Sequence, residues 1–190
     1  MALLIIGIVV FFGFHLLPTV PGLRERLVGR FGENGYKILF SLLSLASLAL
    51  LIYGFAKAPF VQVWSPPGWT RWVAIVLMLP AFIFLVAAYL PGQIKTRLKH
   101  PFLVAIKTWA LAHLIANGGL ASIILFGSFL AYAVYDRIAL KSRQPTGLVE
   151  AQGPSKRQND IIAVVLGTAL YAVFLVWLHP LLIGTAPLAR

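Results

Sequence analysis

Six apolar stretches separated by short polar gaps leave this chain few ways to fold. They run from Ala2 to Leu17, Tyr36 to Phe55, Arg71 to Leu90, Pro101 to Ala116, Leu120 to Ala139 and Ile161 to Ile183, against the roughly 20 residues a helix needs to cross a bilayer. Backbone polar groups in lipid must be satisfied within the protein, so each stretch is expected as a helix and the whole as an all-α polytopic bundle. Composition agrees: 60% hydrophobic and 11% charged residues over 190, with mean hydropathy +0.90, fit an integral membrane protein and not a soluble domain. The first stretch has no basic residue ahead of its apolar core and no small-x-small site before Pro18 and Pro21. It is expected as a span and not as a cleaved leader.

A formal charge of +11 would suggest nucleic acid in a soluble protein, but here the cations sit in the gaps. The first, third and fifth gaps with their flanks carry twelve, from Arg24 to Arg157, whereas the opposite side holds Lys57, Arg71 and Arg190. Positive charge marks the cytoplasmic side, so both termini are expected outside the cytoplasm, and the partner is the lipid bilayer and not nucleic acid. Trp64, Trp69 and Trp72, with Pro59, Pro66 and Pro67, read as a rigid outer cap at headgroup level. One transmembrane domain is expected over residues 1–190, with 141–159 a flexible cytoplasmic loop. Small residues let helices approach closely in lipid. Ser41, Ser44 and Ser47, Gly127 with Ala131, and Ala163 with Gly167 are therefore expected as contact faces.

The inventory of reactive groups is short. There is no cysteine, which removes disulfides, thiolate ligands and cysteine nucleophiles. The acids are Glu25, Glu33, Asp136, Glu150 and Asp160, all in gaps or at helix ends. Paired-carboxylate hydrolysis, a carboxylate-bridged metal site and a buried Ser-His-Asp triad are thereby excluded inside the bilayer. What remains is His15, His100, His113 and His179, with Lys107, Asn117 and the tyrosines. His100, before Pro101, fits a helix cap, and His179 fits a wet helix end. His15 and His113 have apolar neighbours on both sides, and an unpaired buried polar group costs a few kcal/mol. Each needs either an interhelical hydrogen bond or a ligand.

Spacing adds detail. Trp109, His113 and Asn117 recur every four residues and share one helix face, as an aromatic-polar stripe or a packing seam. Lys107 lies on another face and is expected to snorkel to the interface. Symmetry about the Asn117-Gly118-Gly119 turn brings His100 level with Asp136, a contact expected to raise the imidazole pKa or fix its tautomer.

The run His100-Pro101, Lys107-Thr-Trp-Ala-Leu-Ala-His113, Asn117-Gly, Phe126-Gly and Tyr135-Asp136-Arg137, with Phe12-Gly-Phe-His15 and His179-Pro180, resembles the NnrU family of bacterial membrane proteins over nearly the whole chain. The resemblance implies a multi-pass protein of the bacterial inner membrane that supports denitrification through nitrite or nitric oxide reductase activity. The wider superfamily includes the haem-b zeta-carotene isomerase, whose axial histidines would correspond to His15 and His113. Haem b is then the implied cofactor, its iron held by His15 and His113 with His100 as alternative ligand. Trp109 and Asn117 would lie in the binding pocket, and His100 and Asp136 would support it. Phe11, Phe12, Phe14 and Trp109 offer apolar walls for a porphyrin. At 1.5 Å per residue, His113 stands about 18 Å and His15 about 10 Å from the cytoplasmic edge, a gap that helix tilt can absorb. Two further readings stay open: a haem-dependent carotene cis-trans isomerase, and a membrane methyltransferase or non-catalytic assembly factor.

Overall fold

A computed structural model describes residues 1–20, 22–143 and 156–189. The chain runs α1 (Ala2–Leu16), a 3₁₀ turn (Leu17–Thr19), α2 (Leu23–Ala56), α3 (Thr70–Ala87), α4 (Gln93–Leu98), α5 (Pro101–Ala116), α6 (Leu120–Arg143), α7 (Arg157–Val173), a π turn (Phe174–Leu178) and α8 (His179–Ile183). The all-α expectation holds: the described residues contain no strand, only an isolated antiparallel bridge between Gln62 and Gly119. Among the described residues five helical stretches are long and apolar enough to cross a membrane. The 16-residue α5 is the sixth apolar helix. The protein is a polytopic helical membrane bundle.

Several boundaries differ from the sequence reading. Helix α2 starts at Leu23, well before the apolar run, and breaks at Gly32, whose φ of +72° suits glycine. Glu33 beside the break accepts from Arg24 at 2.9 and 3.2 Å and pairs with Lys37 at 3.4 Å. The 141–159 loop expectation is also corrected at both ends: α6 runs to Arg143 and α7 already begins at Arg157. Residues 144–155 lie outside the described part of the chain.

The described residues form two compact units, Met1–Val63 with Gly119–Ser128, and Trp64–Gly118 with Phe129–Arg190. In the first, α1 and α2 pack antiparallel through two glycines. A Cβ at Gly7 would lie 2.7 Å from the Leu51 Cα, and one at Gly54 would lie 2.7 Å from the backbone of Leu3 and Leu4. Leu4 and Leu51 fill the seam and are buried. Ser47 is buried too, its hydroxyl donating to the Ser44 carbonyl at 3.0 Å. This part of the serine stripe is thus a packing face, as expected.

In the second unit α3 lies against both α5 and α7. Gly167 and Ala163 form the α7 contact, with Gly167 under the Ile83 backbone, and the Tyr171 hydroxyl donates to the Ile75 carbonyl at 3.0 Å. On α5 the buried positions include Ala105, Ala110 and Ala112. The expectation for Gly127, which belongs to the first unit, is corrected, since a Cβ there would meet nothing within 4 Å among the described residues.

Asp160 organises the end of this unit that carries α4. Its carboxylate accepts from the backbone N–H of Gln93 and of Ile94, each at 2.9 Å, capping α4 from 66 residues away in sequence. The Asn159 amide donates to the Pro91 carbonyl at 2.9 Å, and the Lys156 N–H to the same oxygen at 3.2 Å. A Cβ at Gly92 would strike the Asp160 carboxylate. Charge-assisted caps contribute about 1.5–3 kcal/mol, less where water competes. Asp160→Ala is therefore expected to cost about 1–2 kcal/mol and to speed exchange of the Gln93 and Ile94 amides about tenfold or more. Amide exchange in detergent checks it, and unchanged rates would remove the cap from this account.

Candidate functional site

In the first unit His15 occupies the last turn of α1, where the helix dipole favours a donor. Its Nδ1 lies 2.7 Å from the Phe11 carbonyl. A carbonyl oxygen only accepts, so Nδ1 carries the proton and the lone pair resides on Nε2. The ring stacks on Phe11 at 4.1 Å and meets Phe40 edge-on at 5.6 Å. The depth estimate for His15 needed helix as far as Gly22 and is corrected: α1 ends at Leu16, the 3₁₀ turn that holds Pro18 ends at Thr19, and Val20 is extended.

In the second unit His113 repeats the arrangement. Its Nδ1 lies 2.9 Å from the Trp109 carbonyl, four residues earlier, which again leaves the lone pair on Nε2. The Trp109 ring is 5.4 Å from the imidazole and 5.2 Å from Phe129, edge-on to the latter. The Asn117 amide donates to the His113 carbonyl at 2.8 Å, so Asn117 caps a backbone group that the end of α5 leaves without a helical partner. The stripe Trp109-His113-Asn117 therefore exists as a wired face, each polar member bonded to the carbonyl one turn back.

His179 stands at the start of α8, directly after the π turn. The π turn ahead of it and the reversal at Gly184, with φ of +78°, bring the Thr185 carbonyl to 2.7 Å from its Nδ1. Phe174 stands edge-on at 6.0 Å. The imidazole is near enough to His113 for charge on one to be felt at the other. No spacing rule foretells this, because the two lie on separate helices; the π turn, a feature enriched at functional sites, has no sequence signature here.

His100 caps the start of α5 and differs from the other three. Its Nε2 is buried with no hydrogen-bond partner among the described residues. Asp136 and Arg137 both act on its charge, as the hairpin symmetry requires, but the expected net rise is corrected. Burial of the ring lowers its pKa most, Arg137 lowers it further, and the opposing pull of Asp136 is outweighed, with Lys99 adding a smaller lowering. A histidine whose folded pKa is depressed binds fewer protons folded than unfolded near its ordinary 6.5. Its contribution to stability is therefore present above pH 6.5 and is lost as pH falls through 6.5 toward the lower folded value. His100→Gln is expected to flatten that acid limb in thermal melts, and Asp136→Asn to steepen it. Identical limbs in all three proteins would contradict the assignment.

Among the described residues no three His, Cys, Asp or Glu side chains gather as a metal cage. Haem asks less of the protein, since the porphyrin supplies four nitrogens and the chain only axial ligands. Imidazoles with Nδ1–H donated to a carbonyl and Nε2 as the lone-pair nitrogen, set among aromatic rings, fit that demand. No curated protein and no solved structure matches the chain. A family model described as NnrU protein matches residues 3–187 of the 190, and the chain belongs to the NnrU family.

Proposed function

We propose that this protein is a haem-b-binding member of the NnrU family, resident in a bacterial inner membrane, that supports nitrite and nitric oxide reductase activity without turning over a substrate of its own. The observation that carries the reading is the contact between His113 Nδ1 and the Trp109 carbonyl. Donation of Nδ1–H to the Trp109 carbonyl at 2.9 Å presents Nε2 as a ligand nitrogen and orients the ring before any iron arrives. His15 carries the same preparation within its own unit. Haem bound there would supply one-electron chemistry or a gas-sensing iron. Trp109 and Phe129 supply an apolar wall, and Asn117 holds the end of α5 on which His113 sits.

The acids favour an accessory role over acid-base catalysis. Glu33 is paired with Arg24 and Lys37, Asp160 is occupied by the α4 backbone, and Asp136 lies near the His100 end of α6. Glu33 and Asp160 are thus committed to structural contacts and not to proton transfer. A reduced-minus-oxidised visible spectrum of the purified protein, beside His113→Ala, tests the reading. A colourless protein from haem-sufficient cells would overturn it.

A further inference from the structure

A groove of about 550 Å³ opens where α4 meets α7, lined by Gln93, Arg157, Asp160, Ile161, Val164 and Val165. Its lining is graded along α7. Arg157, Ile161, Val164 and Val165 follow one another at spacings of four, three and one, so they share one helix face. The three apolar residues are all exposed. From the guanidinium to Val165 the wall extends about 12 Å along the helix.

The polar end carries unbalanced charge. Asp160 is the acid in the lining; it keeps its negative charge while both oxygens accept from the N–H groups of Gln93 and Ile94, and the cations at this end outnumber it. Arg157 has no ion pair among the described residues. Lys95 and Arg97 on α4 and Lys156 at the start of α7 add positive charge at the same end. A small soluble anion would make no use of the Ile-Val wall, and a hydrocarbon would make no use of Arg157. A second copy of the chain docking face to face would bring two net-positive ends together. Only an amphiphile with a negative head and an apolar tail satisfies both ends.

We propose that this groove holds an anionic phospholipid of the leaflet on the basic side of the protein. Its phosphate sits at Arg157, with the Gln93 carboxamide as a second donor, and an acyl chain lies along Ile161, Val164 and Val165. Anionic lipids concentrate at the face where juxtamembrane cations collect. This inference does not depend on haem.

The test is native mass spectrometry of the full chain released from micelles doped with equal phosphatidylglycerol and phosphatidylcholine. Wild type is expected to retain one phosphatidylglycerol in preference to phosphatidylcholine. Arg157→Gln should reduce that preference about fivefold, the effect of one cation at the surface. Val164→Trp, which fills the groove, should reduce retention of both lipids. Arg97→Gln removes a cation from the same end without touching the lining and should leave the preference intact. Circular dichroism confirms that each variant is helical. Equal preference in wild type and Arg157→Gln would overturn the proposal, as would an equal loss in Arg97→Gln, which would mean diffuse charge and no site. Displacement of the lipid by millimolar inorganic phosphate would overturn the amphiphile in favour of a plain anion site, and a dimer mass with no lipid would assign the groove to a second copy.

Discussion

Purified from haem-sufficient cells, His113→Ala is expected to lose the reducible b-type absorbance of the wild type, with bound pigment falling at least about tenfold, the equivalent of 1.4 kcal/mol of binding free energy. The substitution removes the lone pair on Nε2 and the ring that the Trp109 carbonyl orients. Two companions separate ligation from scaffolding. Trp109→Phe keeps the backbone carbonyl that bonds Nδ1 at 2.9 Å, so it should retain the pigment with a small spectral shift. Asn117→Ala removes only the bond to the His113 carbonyl, a loss of about 1 kcal/mol of local stability, and should also stay coloured. His15→Ala, measured beside them, reports whether the second prepared imidazole is used as a ligand or only as a helix-end hydrogen bond. Full colour in His113→Ala would sink the ligand assignment. Loss of colour together with unchanged nitrite and nitric oxide reductase activity in cells would leave haem binding standing and remove its link to denitrification.

The largest stability effect is expected from Gly54→Leu. A Cβ at this position would fall 2.7 Å from the Leu3 carbonyl carbon and oxygen and from the Leu4 nitrogen. Those are helix backbone atoms and cannot swing aside as a side-chain tip can, so α1 must move off α2. Overpacking a seam costs typically 1–3 kcal/mol, and a branched side chain driven against the Leu3–Leu4 peptide group belongs at or above the top of that range. Leu4 and Leu51, both buried in this seam, would lose their contacts in the same step. Gly13→Ala is the control, since nothing lies within 4 Å of its Cβ, and it should melt within about 0.5 kcal/mol of wild type. Because the chain has no cysteine, a cysteine pair placed across α1 and α2 reports the separation directly. Wild-type melting of Gly54→Leu, with undiminished cross-linking, would refute the close approach.

The apolar spans could be read from the chain because lipid imposes one rule on every segment. Helix α5 was legible at both ends, from Pro101 to Ala116, since proline starts it and Asn117-Gly118-Gly119 stops it. The Trp109-His113-Asn117 face was legible from its spacing alone. What was not legible depends on partners distant in sequence. Helix α4 lies within a basic gap and owes its start to Asp160. Gly7 and Gly54 sit in hydrophobic runs where nothing marks them as contact points. The direction of the His100 shift needed the burial of its ring and the side on which Arg137 falls. The bond between His179 and Thr185 needed the reversal at Gly184.

The contacts at Pro91, Gly92 and Asp160 also bear on how the last helix finds its place. Helix α7 is fixed at its first turn by Asp160 and Asn159 against the α3–α4 corner, and farther along by Gly167 beneath Ile83. These contacts fix its register against α3 and α4. A C-terminal fragment beginning at Lys156 carries its half of each of these contacts, so it should be able to complement the rest of the chain when the two pieces are made separately.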